Sequence, residues 1–330
     1  MSESSEHTDT HAPEQYDVVV VGGGAAGLSA ALILGRSRRR TLVVDAGEPR
    51  NAPAAHMQGY LSRDGMSPAA FLETGRREIA AYGVEWTAGR VTEAVPDGGT
   101  EGFTVTVDDG RRVRARRLVV TTGLVDELPA IDGVAERWGR EVLHCPYCHG
   151  WEVRDRAFGV LAHPVFGAHQ ALIVSHWSPD VTLFLHTAGP LSEEQSAQVA
   201  AAGIQVVEGE AAGLAVEDDR FIGVRMADGR VVERDVLFVG TRMTPRDGLL
   251  TALGAETRET PLGAFVAVDE TGRTSVPGVW AAGNAIGAQE QVINAASGSY
   301  RAGVTINMEL IMEDLDRKVA ARVETVGFPG

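Results

Sequence analysis

The chain is poor in cysteine. Its 330 residues include only two, Cys145 and Cys148. Two cysteines cannot build the set of disulfides that stabilises small secreted domains. In a cytosolic protein, an isolated Cys-x-x-Cys more often carries redox or metal chemistry than a structural cross-link. This pair is therefore the first candidate functional site.

Basic residues are also few. The sequence has 30 Lys and Arg against 45 Asp and Glu, which gives a formal net charge of −15. This balance repels the phosphates of nucleic acids and the surfaces of anionic membranes, so we predict neither a nucleic-acid nor a membrane partner. One basic run, at residues 36–40, is interpreted as the solvated end of a helix.

Long hydrophobic runs are missing as well. No apolar segment reaches the roughly 20 residues that a transmembrane helix needs. The first 14 residues are polar, include Glu3, Glu6 and Asp9, and lack the basic start and apolar stretch of a secretory signal. We predict a disordered tail at residues 1–14 and a cytoplasmic location.

Short β-branched runs alternate with helical stretches along the rest of the chain. Residues 16–21 predict a buried parallel strand, 28–34 a helix and 41–44 a second strand, the order of a βαβ unit. From 84 to 120, alternating strands, including 103–107 and 112–120, indicate a β-meander packed on this sheet. A second αβ pattern has strands at 158–161 and 181–185 around a helix at 168–177, and a helix at about 291–315 closes the sequence.

This order predicts an α/β fold with two Rossmann-like domains. Residues 15–123 and 244–330 would form a cofactor-binding domain, and 124–243 a smaller inserted domain that carries the cysteine pair. The junctions are expected near 124–127 and 243–246.

A glycine-rich turn follows the first predicted strand and fits the pattern G-x-G-x-x-G. In such a turn the first glycine permits the tight bend, the second lets a pyrophosphate approach the backbone, and the third allows the helix to pack closely on the strand. The helix N-terminus supplies free N–H groups for the phosphates. Asp45 ends the next strand about 20 residues on, where ribose hydroxyls bind. The turn residues predicted to bind the dinucleotide are Gly22, Gly24, Ala25, Ala26 and Gly27.

Two further segments favour FAD over NAD as the dinucleotide. Thr121-Thr122-Gly123 ends a strand just before the first junction, and Ala281-Ala282-Gly283-Asn284 follows a strand after the second. A flavoprotein needs both halves of an interrupted domain to close on its long cofactor. We therefore add Thr122, Gly123, Gly283 and Asn284 to the predicted FAD site.

The cysteine pair allows three interpretations. A zinc site needs about four ligands, and the chain has no second cysteine pair, although His144 and His149 are adjacent. Cys-Pro-Tyr-Cys-His also matches the c-type haem attachment pattern, which usually functions outside the cytosol. A redox disulfide beside a flavin agrees best, because a spacing of three places both sulfurs on one helical face and a helix that begins at Cys145 favours its thiolate. No metal site is predicted.

His149 is the nearest candidate acid–base group, since imidazole titrates near neutral pH. The alternative is a histidine at the start of a helix that only helps to keep a thiolate. Glu152 could orient a proton path, or simply place a favourable negative charge near a helix N-terminus.

Taken together, these segments and their order are similar to those of the low-molecular-weight thioredoxin reductase superfamily, over about residues 15–315. In that family the second cysteine of the pair meets the flavin and the first attacks the substrate. The resemblance therefore implies that Cys148 is next to the flavin and that Cys145 exchanges with the substrate. It also implies FAD-binding roles for Asn51 and Gln291.

The resemblance further implies a homodimer that the terminal helix helps to form. A set of apolar side chains could mark its buried face, although packing against its own domain explains them equally well. These residues are Val292, Ala295, Ala296, Val304, Ile306 and Leu310.

The sequence departs from the reductase pattern at two places. Reductases have an acid directly after the second cysteine, where this chain has His149. They also carry a second glycine fingerprint for NADPH, and the matching stretch here, at residues 162–167, lacks its first two glycines and contains Pro164, which has no N–H to offer. The arginine-rich segment that grips the 2′-phosphate is absent too, so we expect poor NADPH binding.

Both departures occur in one branch of the superfamily, the dithiol oxidases of disulfide natural products such as gliotoxin and holomycin. Their cysteine pair is followed by His-Gly, as in Cys148-His149-Gly150. The resemblance implies that a small-molecule dithiol is oxidised to a disulfide and that O₂ accepts the electrons as H₂O₂. Two alternatives remain open at this point. One is a disulfide reductase supplied by NADPH or by a non-nicotinamide donor such as a ferredoxin, and the other is a flavin-bearing redox sensor.

Overall fold

The computed structural model of the chain describes residues 13–98, 102–163, 165 and 167–326. Most of the predicted tail, residues 1–12, lies outside these ranges, and the first strand already begins at Glu14. The first part of the chain forms these elements: β1 (Glu14–Val21), α1 (Ala25–Arg36), β2 (Thr41–Asp45), α2 (Pro68–Ala80), β3 (Glu85–Ala88), β4 (Val91–Pro96), β5 (Phe103–Val107) and β6 (Arg112–Val120).

These six strands lie in one sheet in the order β3-β2-β1-β6-β5-β4. The strands β3, β2, β1 and β6 run parallel, which is the arrangement of a βαβ fold. The prediction that the meander packs on this sheet was wrong. Since β6 pairs with β1 on one side and antiparallel with β5 on the other, the meander β4-β5-β6 extends the sheet itself.

The inserted segment forms two sheets of its own. Its elements are β7 (Leu124–Glu127), α3 (Val134–Arg137), β8 (Val142–Leu143), α4 (Pro146–His149), β9 (Phe158–Leu161), α5 (His169–Val174), β10 (Val181–Phe184), α6 (Glu193–Ala201), β11 (Gln205–Val207), β12 (Ala211–Glu217), β13 (Arg220–Met226), β14 (Val231–Glu233), β15 (Val236–Phe238) and β16 (Arg242–Pro245). Five strands form a parallel sheet in the order β11-β10-β9-β15-β8, and β12-β13-β14 form a separate antiparallel sheet. The helix predicted at 168–177 is shorter than expected.

Two strands connect the first sheet to the inserted segment. The chain passes into the inserted segment through β7 and returns from it through β16. These strands pair antiparallel, from Leu124 with Pro245 to Glu127 with Arg242. Both passages of the chain therefore run side by side in a ribbon, at the two positions where the sequence predicts domain junctions. The division into two domains at these junctions stays a prediction.

The chain then returns to the first sheet. Its last elements are α7 (Gly248–Ala252), β17 (Thr257–Thr260), β18 (Gly263–Val266), β19 (Val279–Ala281), a 3-10 turn (Gly283–Ala285) and α8 (Val292–Val326). Strand β19 pairs parallel with the C-terminal part of β6 and completes a seven-stranded sheet. Alternate residues of β1 enter the cores on the two faces, Val19 and Val21 on one and Val18 and Val20 on the other.

The terminal helix is longer than the prediction of 291–315. Ile306 and Leu310 are fully buried in the core shared with α1, so packing against the chain's own domain explains these two residues. The interpretation of the basic run as solvated is wrong for Arg39, whose side chain is 11% exposed and whose Nη1 lies 2.8 Å from Asp314 on α8. Among the described residues, no helix is both long enough and apolar enough to cross a membrane.

Candidate active site

The glycine turn between β1 and α1 depends on close backbone contacts. Gly22 has φ +101°, which favours glycine, and a Cβ there would lie 2.6 Å from the carbonyl oxygen of Thr121. A Cβ on Gly27 would overlap the carbonyl oxygen of Gly22. By contrast, a Cβ on Gly24 would meet nothing within 4 Å. The turn is therefore packed at its first and third glycines and open at its second.

The open position faces a large cleft. No side chain caps the first turn of α1, so the N–H groups at this helix end are directed toward the cleft. Asp45, at the end of β2, lies beside the turn and accepts a hydrogen bond from the Gly23 N–H at 3.0 Å through Oδ1. Its second carboxylate oxygen is left for another donor.

The cleft has a volume of about 1930 Å³ and reaches from the glycine turn to the cysteine pair. Except for Gly27, which packs behind the turn, every predicted site residue lines it. These are Gly22, Gly24, Ala25, Ala26, Asp45, Asn51, Thr122, Gly123, Cys145, Cys148, His149, Gly283, Asn284 and Gln291.

Hydrogen bonds to the backbone hold the two loops that close the cleft. Thr121 Oγ1 donates to the carbonyl of Gly22 at 2.9 Å and fastens the end of β6 to the glycine turn. Thr122 Oγ1 donates to the carbonyl of Arg246 at 2.6 Å, and Asn284 Nδ2 donates to that of Gly287 at 3.0 Å. The hydroxyl and amide groups at these positions therefore shape the loops.

The cysteine pair lies on the wall formed by the inserted segment. Cys145 is the N-cap of α4, Pro146 occupies the first turn, and Cys145 and Cys148 form a disulfide. Proline is favoured at this position because the first N–H groups of a helix need no intrahelical partner. The motif thus places an oxidised pair at a helix start that faces the cleft.

Gln291 reaches the pair from the opposite wall. Its Nε2 lies 3.5 Å from Cys145 Sγ and its Oε1 lies 3.4 Å from Cys148 Sγ. The sequence assigns Gln291 to FAD, and the contact of its carboxamide with both sulfurs was not expected. Only the tertiary arrangement reveals it, since 142 positions (291 − 149) separate Gln291 from the end of α4.

His149 ends α4, and its Nδ1 is buried without a hydrogen-bond partner among the described residues. Burial lowers the pKa of His149 below its ordinary value, and the charge of Glu152 and a hydrogen bond with the backbone of Cys145 only partly offset this. The ring is therefore neutral at pH 7 and can accept a proton.

The chain shows two neighbouring features that sequence reasoning missed. His144 Nδ1 donates to the carbonyl of Val239 at 3.1 Å, and burial lowers the pKa of this ring as well. Asp126 on β7 accepts two hydrogen bonds from Arg50, at 2.7 and 2.8 Å, and one from Thr241 at 2.7 Å. Burial by itself would raise the pKa of Asp126, but Arg50 and Thr241 hold it below its ordinary value. No local pattern marks either feature.

Comparison with known proteins identifies the family. The pyridine nucleotide-disulphide oxidoreductase family matches residues 16–299. The chain belongs to this family. Thioredoxin reductase tcpT of Claviceps purpurea (strain 20.1) is 30% identical over 312 residues, which cover 90% of this chain and 95% of the relative. Thioredoxin reductase sirT of Leptosphaeria maculans is 29% identical over 318 residues, with 92% and 97% covered.

Solved structures agree with this assignment. The crystal structure of HlmI has a TM-score of 0.89 and 48% identity, and the match covers 94% of this chain and 97% of HlmI. An oxidoreductase from Agrobacterium tumefaciens has a TM-score of 0.84 and 36% identity, with 90% and 99% covered. The predicted fold and the resemblance to thioredoxin-reductase-like disulfide oxidoreductases are confirmed.

Members of this family are FAD-binding flavoproteins, so the oxidoreductase uses FAD. The residues present fit this cofactor. The turn at Gly24 leaves space that a side chain would fill, the uncapped start of α1 offers N–H groups to phosphates, and Asp45 has a free oxygen for a ribose hydroxyl. The individual assignments to FAD stay predictions.

The corresponding turn of the inserted segment is different. The N–H groups of Val165 and Gly167 are used by His163, at 3.1 Å to Nδ1 and 2.8 Å to the carbonyl oxygen. The helix that follows, α5, has only six residues, whereas α1 has 12. Pro164 and Phe166 lie outside the described residues. The N–H groups of Val165 and Gly167 are therefore used within the turn.

Proposed function

We propose that this flavoprotein is a dithiol oxidase. It would convert a small-molecule dithiol to its disulfide and transfer two electrons and two protons to O₂, with H₂O₂ as the second product. The proposal rests mainly on one observation, that the turn where a reductase binds NADPH uses its own N–H groups internally. An enzyme that does not use a nicotinamide donor can take its electrons from the thiol substrate.

The first step opens the protein disulfide. The neutral ring of His149 takes the proton from one substrate thiol. The resulting thiolate attacks Cys145 Sγ, and the Cys145–Cys148 bond breaks so that Cys148 leaves as a thiolate. The substrate is then held on Cys145 as a mixed disulfide.

The second step releases the product. The other substrate thiol loses its proton and attacks the substrate sulfur of the mixed disulfide, which forms the substrate disulfide and frees Cys145 as a thiolate. FAD, which the glycine turn and Asp45 would hold, would supply the acceptor for the two electrons of the reduced pair and their route to O₂, and Cys148 would be the cysteine next to it. The cysteines return to the disulfide form that the structure shows.

The names of the two fungal relatives favour a second candidate, a disulfide reductase. A reductase would need an electron donor in every cycle. The two candidates therefore differ in the source of their electrons, and the reaction of the bound flavin with NADPH identifies a nicotinamide-dependent reductase.

The test of the oxidase uses the purified flavoprotein in air with dithiothreitol and no nicotinamide. We expect one H₂O₂ for each disulfide formed, measured with an oxygen electrode and a peroxidase assay. Cys145→Ser and Cys148→Ser should both abolish turnover, because neither variant can form the Cys145–Cys148 disulfide that the substrate thiolate attacks. Full turnover by Cys145→Ser would remove the cysteine pair from the reaction.

The role of His149 has its own test. His149→Ala should lower the rate by about 10²-fold near neutral pH, the effect of a positioned acid–base group. Because burial lowers the pKa of His149, the wild-type rate should reach its plateau at a lower pH than a catalytic histidine of ordinary pKa would allow. The variant should recover only at high pH, where the substrate thiols ionise unaided. His56→Ala, at an exposed histidine, is the matched control, and an unchanged rate in His149→Ala would refute the role.

The reaction with NADPH tests the direction of electron flow. In an anaerobic stopped-flow experiment, we expect neither NADPH nor NADH to bleach the flavin at a useful rate. Bleaching within the time of one turnover would favour the reductase.

A further inference from the structure

The cleft has one wall without carboxylate, ammonium or guanidinium groups. We call the lining between residues 138 and 243 the inserted wall, since the inserted segment forms it and it includes both cysteines. Among the described residues of this stretch, no aspartate, glutamate, lysine or arginine lines the cleft. The polar side chains of the inserted wall include three imidazoles and an amide, those of His144, His163, His169 and Gln170. A ligand that reaches the disulfide along this wall therefore meets uncharged groups.

Buried imidazoles on the inserted wall are neutral in the pH range where thiols react. Burial lowers the pKa of His144 and His163, and it lowers the pKa of His149 beside the disulfide as well. Because the ordinary pKa of histidine is already about 6.5, these three rings carry almost no positive charge at pH 8. They therefore do not offer the cation that a carboxylate or phosphate would need.

The cations on the rest of the cleft are already paired. Three described arginines line it, and each forms an ion pair. Arg50 pairs with Asp126 at 2.7 Å. Arg90 and Arg246 pair with Glu48 at 2.7 and 3.2 Å. Among the described lining residues, acids outnumber these arginines by five to three, and the whole chain has a formal net charge of −15. The resulting negative potential opposes the entry of anions.

We propose that the inserted wall selects dithiols that carry no negative charge beside their thiols. This inference rests on the proposed function and names the class of its substrate. A carboxylate on the substrate would lose part of its hydration against the inserted wall with no cation to replace the water, which costs free energy. The acids on the rest of the cleft would repel it as well. An uncharged dithiol avoids both effects.

Tyr147 gives an uncharged substrate an apolar contact. It lies between the two cysteines in the chain, lines the cleft and is 73% exposed. The ring of Trp177 supports it edge-on, with 5.6 Å between the ring centroids. Trp177 in turn packs against Gly150, where a Cβ would lie 2.8 Å from the indole ring. An aromatic ring that is exposed and yet supported in this way is suited to pack against the apolar part of a ligand.

A matched pair of dithiols tests the selection. Dihydrolipoamide and dihydrolipoate have the same dithiol and differ only in an amide in place of a carboxylate. The flavoprotein is mixed anaerobically with each at about pH 8, where histidine is neutral, and stopped-flow absorbance gives the second-order rate constant of flavin reduction. We expect dihydrolipoamide to react about tenfold faster, because the carboxylate is only partly dehydrated. The rates of both dithiols with hydroxyethyl disulfide correct for their intrinsic reactivity.

A lysine on the inserted wall should weaken the selection. His169 is exposed, lines the cleft and begins α5, so His169→Lys adds a cation without disturbing the core. It should lower the ratio of the two rate constants by about threefold, the effect of one exposed ion pair, mainly through faster reaction of dihydrolipoate. Gln198→Lys, at an exposed glutamine on α6, is the matched control and should keep the wild-type ratio.

Two outcomes would overturn the inference. One is a wild type that reacts equally fast with both dithiols after the correction, and the other is a ratio that His169→Lys leaves unchanged although flavin absorbance and circular dichroism show a folded protein. Flavin reduction without H₂O₂ formation in air would contradict the oxidase and leave the selection standing. If neither dithiol reduces the flavin, the proposed function fails, and equilibrium dialysis of lipoamide and lipoate against the oxidised flavoprotein decides the inference. Binding without a preference for lipoamide would then overturn it.

Discussion

The contact between Gly27 and Gly22 predicts a specific loss of stability in Gly27→Ala. The new methyl group would overlap the carbonyl oxygen of Gly22 and lie 2.8 Å from Thr121 Oγ1. Forcing a methyl group into a packed interior costs about 1–3 kcal/mol, and the upper value applies because the obstacle is main chain held between β1 and β6. The higher helix propensity of alanine returns about 1 kcal/mol. We therefore expect a net loss of about 2 kcal/mol in the free energy of unfolding.

The assay is urea denaturation followed by circular dichroism on protein from which FAD has been removed, so that cofactor binding does not contribute to the comparison. Gly24→Ala is the matched control, because its methyl group meets nothing within 4 Å and the position lies at the helix N-cap. It should change the free energy of unfolding by no more than about 0.5 kcal/mol. If Gly27→Ala were as stable as the wild type, or less damaging than Gly24→Ala, the account of this turn would be wrong.

Three further predictions concern the cofactor, the ribbon and the terminal helix. Gly24→Asp should fold but purify without flavin absorbance, because its carboxylate would repel the pyrophosphate. Wild-type protein that lacks flavin bands would contradict the FAD assignment. Asp126→Asn should be about 2 kcal/mol less stable than the wild type at pH 7. Because Arg50 lowers the folded-state pKa of Asp126, this stabilisation is present above about pH 4 and decreases as the pH falls toward the lowered value. A gap in urea midpoints that does not shrink between pH 5 and pH 3 would refute it. Met308 and Met312 on α8 are 55% and 53% exposed. We expect the double variant Met308→Lys and Met312→Lys to convert a homodimer to a monomer in light scattering. A monomeric wild type at micromolar concentration would contradict the dimer.

Local patterns in the sequence were sufficient for much of the fold. The strand at Phe158–Leu161 and those at Phe103–Val107 and Arg112–Val120 agree with the predicted bounds, because short apolar or alternating runs bounded by turn residues favour strands. The same local reasoning overextended α5, missed the continuation of α8 and placed the meander on the sheet. The pairing of the strands decides where the meander lies. One edge of β6 pairs with both β5 and β19, and sequence spacing does not reveal which strands lie side by side.

The sequence alone therefore determined the family, the cofactor class and the residues that line the cleft, because glycine turns and a Cys-x-x-Cys at a helix start are chemical requirements expressed within a few adjacent positions. The tertiary structure alone decided how distant groups meet. It paired Arg50 with Asp126, buried one nitrogen of His149, brought Arg39 to Asp314 and set Gln291 against both sulfurs. Contacts between segments far apart in the chain decide the partner of each of these groups. Burial and these contacts also lower the pKa of Asp126 and His149.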